Sequence, residues 1–554
     1  MNLRKYENIL TLSAVVLALI LLNMVLSFVH LRWDLTEEKR YTISEATIHL
    51  LQKLQSPVQI DVYLAGNINA SFKRLQNAIQ ETLDEFVVFG KKNIRYRFIN
   101  LDELPSAERK RLQQYLVQKG IQPTHLFDQQ DGKKIQKLIF PGAIVSYRNR
   151  EEGVLLLKGN KAASAQEQLN QSIEGIEYEL AQAIHKLTLT QRPKIAFTEG
   201  HDELTAEQTV EMRHALADFY EIHQVSLQTP VDTSIKVVIV AQPKKPFSET
   251  HRFWLDQYLM QGGNIIFLLD NVQMNLDSIA LNGTYAFGYE LNLTDMIFKY
   301  GVRVNLDLLQ DQQAGMLDVV VGNFGDRPNI QKIPFPYYIL ANQWSKHPIT
   351  KNLDVVYLRF PTSLDTVKAA DIRKTPLLFT SRYSRRKNTP CLVSLNELRM
   401  DMKPELYKES YIPVAYLLEG CFKSAFAMQF APIETGMGDK FVKKGKHAKI
   451  LVCTDGDLIR QEIDKRSGKL LSLEYETSSR RRLSNKEFIL NTLAYMTNER
   501  GIIVSRNKEI SLRPLDIFKI QNHKRYIQTL AMLLPLSIVG VVAGMMFFIR
   551  QYYR

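Results

Sequence analysis

The sequence predicts an α/β protein: a soluble body of sheets and helices between two transmembrane helices. Three observations predict it. Short apolar strand patterns alternate with amphipathic helical patterns along most of the chain, the order that builds sheets covered by helices. Uncharged runs long enough to cross a bilayer stand near both ends. The 554 residues are 45% apolar, with 26 Gly, 20 Pro and only 3 Cys. That composition excludes a disordered chain, a fibrous repeat and a disulfide scaffold. Length allows roughly three or four domains. Bases exceed acids by 71 to 58, a formal charge of +13, which suits nucleic acid, an anionic membrane or mere solubility.

The first run, residues 9–29, holds 21 residues without a charge. At about 1.5 Å per residue it reaches roughly 30 Å, the hydrocarbon thickness. A cleaved signal peptide is the alternative, but no small-x-small site follows in Val29-His30-Leu31-Arg32. The second run, Leu530–Ile549, closes a span predicted over 526–549; a buried core helix is its alternative. Two spans put both termini on one side and the body on the other. Lys and Arg near the span ends favour a cytoplasmic body when simply counted, but that rule weakens for long domains. Ser537, Gly540 and Gly544 in the second span and Ala14 and Ala18 in the first are small residues at helical spacing. Such residues let a second membrane helix approach closely, as on a permease subunit.

Between the spans the elements follow in order. Ser44 caps a helix carrying Ile48, Leu51 and Leu54, and Pro57 ends it. Residues 58–64 alternate as a strand. Phe72, Leu75, Ile79, Leu83 and Phe86 form a helical stripe ending near Gly90. Residues 94–99 make a second strand, Leu112, Tyr115 and Leu116 a helix closed by Gly120, and 143–147 with 154–157 a hairpin. This order over 30–160 suggests a thioredoxin-like domain, without the redox chemistry, since no C-x-x-C occurs. Leu169, Ile173, Ile176, Leu180, Ile184 and Leu187 mark a connecting amphipathic helix over 165–190. From 191 to 500, strands at 194–197, 222–227, 235–240 and 264–270 alternate with helices through Leu216 and over 248–260, which predicts a doubly wound parallel sheet. The pattern weakens into an irregular, loop-rich insertion over about 280–440. It returns at 448–453, and a last helix over 485–496 completes the unit. Residues 501–525 are a basic juxtamembrane segment.

Chemical signatures are mostly missing. The sequence holds no G-x-x-x-x-G-K-[ST] phosphate loop, no G-x-G-x-x-G fingerprint, no H-E-x-x-H and no G-x-S-x-G elbow. His201, His214 and His223 do not match a zinc spacing. No metal, cofactor or catalytic residue is assigned. Two acidic loops lie where a doubly wound sheet binds ligands, beyond the carboxyl ends of strands. One holds Glu199, Gly200, His201, Asp202 and Glu203; the other holds Asp455, Gly456 and Asp457. Carboxylates beside a His can carry acid–base chemistry. The same residues also suit turns and a helix start: Asp202 and Glu203 would open a helix, and Gly200 and Gly456 would supply turn conformations. Glu199, His201, Asp202, Glu203, Asp455 and Asp457 are therefore the candidate ligand or partner loops. Cys453 ends a strand without the G-x-C-x-G flanks of a nucleophile, and reads as a buried, inert thiol.

Several segments together resemble one family. Arg32-Trp33-Asp34-Leu35-Thr36 with Arg40-Tyr41-Thr42-Ile43-Ser44 resembles the R-x-D-L-T…R-Y-T-L-S segment that follows the first span of the GldG family. These are gliding-motility-associated ABC-transporter auxiliary ("substrate-binding") proteins of the Bacteroidetes. Thr198-Glu199-Gly200-His201-Asp202-Glu203-Leu204 resembles the T-x-G-H-x-E-L signature, with Asp202 where Gly is more usual. Residues 255–263 resemble L-D-x-Y-L-x-x-G-G. Asp455-Gly456-Asp457, Asn485-Lys486-Glu487-Phe488 and Arg513-Pro514-Leu515-Asp516 are similar to later motifs. The resemblance spans nearly the whole chain. It implies a non-catalytic accessory subunit of the inner membrane, working with a GldF-like multi-span permease and a GldA-like cytoplasmic ATPase in gliding motility or allied secretion. It implies a periplasmic body and a middle domain similar to the GIFT domain of intraflagellar transport proteins, itself like a glutamine amidotransferase without its nucleophile. Partners are then the transporter subunits and membrane lipid, not nucleic acid. The rival reading is a membrane-tethered periplasmic glycan-binding protein or hydrolase acting at the acidic loops.

The basic excess divides unevenly. Arg500–Arg525 holds seven bases against Glu509 and Asp516, just before the second span. That placement suits anionic headgroups or an acidic partner surface.

Overall fold

A computed structural model describes residues 42–552 except 131–132, 158–164, 190, 275–278, 280–282, 325–326, 352, 396–402, 439, 464–469, 474, 477–482 and 498–523, together with Ser13, Ala14 and Leu17. The chain forms two compact units, Met1–Lys508 and Glu509–Arg554.

In the first unit a four-stranded sheet comes first. β1 (Val58–Val62) pairs in parallel with β2 (Ile94–Phe98) and antiparallel with β3 (Gly142–Tyr147), which turns into β4 (Arg150–Leu155); the order is β2-β1-β3-β4. Alternation sets its core: Val58, Ile60 and Val62 are buried while Gln59 and Asp61 are half-exposed. Three helices precede and connect these strands: α1 (Glu45–Gln52), α2 (Ala70–Gly90) and α3 (Ser106–Gln118). Ser44 caps α1, its Oγ accepting from Thr47 N at 3.3 Å. α4 (Ala165–Thr188) packs Leu169, Ile176, Leu180 and Ile184 into the same core as Leu75, Ile79, Leu83 and Phe86 of α2. Its Glu177 accepts hydrogen bonds from Ser44 N at 2.7 Å and Thr47 Oγ1 at 2.8 Å, joining helices 133 residues apart in sequence. A hairpin of Thr124–Gln130 and Lys133–Ile139, not expected from the sequence, also belongs here.

The large sheet has eight strands. β5 (Lys194–Thr198), β6 (Glu221–Val225), β7 (Ile235–Ala241), β8 (Asn264–Leu268), β9 (Gln343–Trp344), β10 (Ile372–Phe379), β11 (Pro413–Lys423) and β12 (Lys444–Cys453) lie in the order β9-β10-β11-β12-β8-β7-β5-β6. The five strands from β12 to β6 are parallel and run 2-1-3-4-5 in chain order, a doubly wound arrangement. The three remaining strands add an antiparallel edge. Burial alternates across it. Ile195, Phe197, Val237 and Ile239 face α5 (Val210–Ala217) and α8 (Asn485–Met496). Ala196, Val238, Val240, Ile265 and Phe267 face α6 (Glu249–Met260) and α7 (Thr294–Tyr300). Each fully buried Leu, Ile or Phe contributes about 1.5–3 kcal/mol, so the two faces dominate this unit's stability.

The segment expected as a polar, irregular insertion is built of antiparallel strands instead. Its long hairpin, Ala314–Phe324 against Arg327–Ala341, continues to Val356–Arg359, and β10 and β11 extend the large sheet. Half-buried and edge strands keep polar residues on one face, so their sequence looks like loop.

In the second unit α9 (Lys524–Tyr552) contains Gln528–Ile549, 22 residues with a mean hydropathy of 2.4, long and apolar enough to cross a membrane. Pro535 lies inside it. The first predicted span lies almost wholly outside the described residues; Ser13, Ala14 and Leu17 are helical and exposed.

Candidate functional site

Parallel strands all point their carboxyl ends to one edge, and the loops leaving β5, β7, β8 and β12 meet there. Both acidic loops lie on this edge, and each becomes part of a separate polar cluster.

The first cluster centres on His201, which is 2% exposed. Its ring stacks on Phe247 at 3.7 Å between centroids. Nδ1 lies 3.1 Å from Glu203 Oε1, and Nε2 lies 2.8 Å from His251 Nδ1. The His201 backbone N–H donates to Glu203 Oε2 at 2.6 Å. Burial would raise the Glu203 carboxyl, but the donors around it, the His201 ring and backbone foremost, outweigh it and hold it below the usual Glu range. An ionised Glu203 accepts from the Nδ1–H of His201, and the Nε2 contact joins that ring to the His251 ring. Burial and the adjacent His201 ring both lower the His251 pKa. The His201 carbonyl accepts from Lys244 N at 2.7 Å and Lys245 N at 3.0 Å, tying the loop after β5 to the loop after β7.

The second cluster joins Gln242, Asp270, Arg359, Asp455 and Asp457. Gln242 Nε2 donates to Asp270 Oδ2 at 2.6 Å and to Asp457 Oδ1 at 2.9 Å. Asp270 Oδ1 accepts from Gly456 N at 2.7 Å. Asp455 accepts from Asp457 N at 2.8 Å and Arg359 N at 3.0 Å. The Arg359 guanidinium lies 3.3 Å from Asp457 and pairs with Glu462; Arg460 also reaches Asp457 at 3.3 Å. Burial and the neighbouring carboxylates raise Asp455 well above the usual Asp value, and burial with the Asp457 charge pushes Asp270 up to about 6. Burial opposes ionisation of Asp457 as well, yet Arg359 and Arg460 hold it below its ordinary value. Among the described residues no group of His, Cys, Asp and Glu is arranged to hold a metal.

The predicted residues thus divide. His201 and Glu203 are partners, and Asp455 and Asp457 sit together in the other cluster. Asp202 is exposed, at φ +55° and 3.1 Å from Lys245. Glu199 is exposed, its N–H donating to the Val225 carbonyl at 3.0 Å. Asp202 and Glu203 do not open a helix; the next helical residues begin at Glu207. Gly200 has the positive φ expected of a turn glycine, at +113°. Gly456 does not: it is needed for closeness, since a Cβ there would stand 2.7 Å from Gln242 Cγ. Asp455 caps the short turn Gly456–Ile459.

His251, Gln242, Asp270 and Arg359 were missed. His251 lies in the first turn of the predicted helix over 248–260 and Asp270 ends the predicted strand over 264–270, a usable signal. Arg359 comes from the strand-rich insertion, 96 residues before Asp455, and carries no local mark. Cys391 and Cys453 are buried and Cys421 is half-buried. Burial raises the Cys453 thiol far above its usual range. On α9, Ser537, Gly540 and Gly544 follow helical spacing, and a Cβ on either glycine would meet nothing within 4 Å. Ala14 is helical and exposed; Ala18 lies outside the described residues.

Comparison with known proteins adds three findings. A family model described as an ABC-type uncharacterized transport system matches residues 192–492, the span of the large sheet and both clusters. A second model, a domain of unknown function, matches residues 37–146. No curated protein matches the chain. Among solved structures the "mmIFT52 N-terminal domain" is similar at 14% identity, covering 55% of this chain and 97% of that one, with a TM-score of 0.31.

Proposed function

Since the chain belongs to the auxiliary family described as an ABC-type uncharacterized transport system, we propose that it is a non-catalytic, membrane-anchored subunit working with a multi-span permease and a separate ATPase. An accessory role in an ABC transport system follows from membership. The observation that carries the rest is the pairing, in one chain, of that family's unit with α9, an apolar helix bearing Gly540 and Gly544 on one face. Helices bearing such pairs associate by close backbone approach in lipid. Partners of the GldF and GldA kind, a role in gliding motility or allied secretion, a second span near the amino terminus and a periplasmic body complete the reading, on the strength of the sequence resemblance.

The enzyme or glycan-binder alternative is less well supported. Among the described residues, five of the six carboxyl oxygens of Asp270, Asp455 and Asp457 already accept protein donors. Clusters closed in this way lock loops together and leave few acceptors for a substrate.

Two experiments test the proposal. Affinity purification of the full chain from membranes recovers the permease and ATPase, and Gly540→Leu with Gly544→Leu loses them. Retention of both partners in the double variant removes these glycines from the interface. A topology reporter inserted at the exposed Val320 of the long hairpin reads periplasmic; a cytoplasmic reading overturns the orientation.

A further inference from the structure

Between β11 and β12 the chain makes a long strap, residues 424–443, that runs back along the outer side of α6. It is held firmly. Ser424 Oγ and Ala425 N each donate at 2.7 Å to the buried carboxylate of Asp256. Phe426 and Phe441 pack edge-on against Phe253 with centroids 5.4 and 5.5 Å away. Gln257 Oε1 accepts from Val442 N at 2.8 Å, and Glu434 pairs with Thr250 at the start of α6.

From this fixed base three large apolar side chains stand out: Met428 is 100% exposed, Phe430 78% and Ile433 97%. A soluble surface tolerates single apolar residues, but three at such exposure on one braced segment mark a contact surface. Lys440, Lys443 and Lys446 are exposed on the same strap and its continuation. Among the described residues none of the three has an acidic partner; Lys443 Nζ lies 5.5 Å from the Phe441 ring centre.

We propose that this strap docks on an anionic bilayer surface. Met428, Phe430 and Ile433 enter the boundary between headgroups and acyl chains, and Lys440, Lys443 and Lys446 meet lipid phosphates. Large apolar tips flanked by lysines on flexible stems fit that boundary, where the stems stay apolar and the ammonium groups reach phosphate. The occupant is lipid because bases outnumber acids along the strap and its continuation, Lys440, Lys443, Lys444 and Lys446 against Glu434 and Asp439, and because α9, long enough to cross a membrane, begins within 28 residues of Met496. Such a tether keeps the strap at high effective lipid concentration. The inference goes beyond the subunit role and needs no permease for its test.

The full chain is reconstituted in phosphatidylcholine vesicles with and without phosphatidylglycerol. A bimane label is placed by Phe430→Cys, or by Val88→Cys as an exposed control on α2, each in a Cys421→Ser background. Doxyl-labelled lipid is expected to quench the label at 430 in anionic vesicles by at least about twofold more than the label at 88. Replacing Lys440, Lys443 and Lys446 by Ala is expected to remove that excess, since each lysine changes surface affinity roughly fivefold at moderate ionic strength. Equal quenching at 430 and 88 in anionic vesicles overturns the proposal. So does a spectral shift at 430 that needs added permease and shows no doxyl quenching, which would assign the strap to a protein partner.

Discussion

Arg359→Met is the sharpest test of what closes the carboxyl edge. The guanidinium is 9% exposed and stands 3.3 Å from Asp457, with Glu462 as a second partner. Its attraction to Asp457 is about 5 kcal/mol at an effective dielectric of 20, most of it offset by desolvation of both groups. Removing it leaves Asp457 buried beside Asp270 and Asp455 with the more exposed Arg460 as its remaining cation, and breaking a buried pair in that way costs up to about 3–5 kcal/mol. For the roughly 300 residues of the large-sheet unit, an unfolding entropy of about 2.1 cal/mol/K per residue converts this to a Tm drop of about 5–8 °C. The pH dependence has a defined sign. Asp457 is held below its ordinary value in the fold, so its contribution is present above that value and lost as pH falls through the folded pKa. The variant's deficit should therefore be large near pH 8 and shrink in acid, as Asp457 without Arg359 takes up a proton more readily. Thermal melts of the purified chain near pH 8 and in acid measure it, with Arg359→Met plus Asp457→Asn as the companion. A drop under about 1 °C, a pH-independent drop, or no recovery in the companion would refute the account of this cluster.

Four further outcomes follow from other parts of the fold. Asp270, raised to about 6, binds its proton more tightly folded than unfolded, so it contributes stability below the ordinary Asp value that is lost as pH rises to about 6; Asp270→Asn should flatten that part of the melting profile. His201→Ala removes a stacked ring and the ring donor to Glu203 Oε1, for an expected loss of about 3 kcal/mol in urea unfolding, whereas Asp202→Asn at the exposed ion pair should stay within about 0.5 kcal/mol. Gly263→Ala would set a Cβ 2.2 Å from the Tyr258 ring, and overpacking of that kind costs about 1–3 kcal/mol, visible as a lower urea midpoint. In thiol counting, half-buried Cys421 should react in the native chain while Cys391 and Cys453 wait for denaturant.

The sequence by itself determined much of the chain's local structure. The stripe from Leu169 to Leu187 has a helical period that a helix can bury on one side, Ser248 caps the helix that follows it, and the short continuous apolar runs at 235–241 and 264–268 are of strand length. The apolar run inside α9 needed nothing but length and hydropathy. The parallel pairing of the large sheet's central strands was legible too, because buried central strands are apolar throughout and alternate with helices. The strands of 284–393 were not, since edge and hairpin strands carry polar residues on their outer face and a local window cannot see what their inner face meets. The candidate site divides on the same line. Glu203, Asp455, Asp457 and His201 stand beside turn residues and could be read. Their partners could not: Arg359 reaches Asp457 across 98 positions of sequence, and His251 meets His201 only because α6 starts where β5 ends. Only the packed chain decided whether those acids face a ligand or one another. A carboxylate taken out of water needs a donor close by, and only folding determines which donors are close.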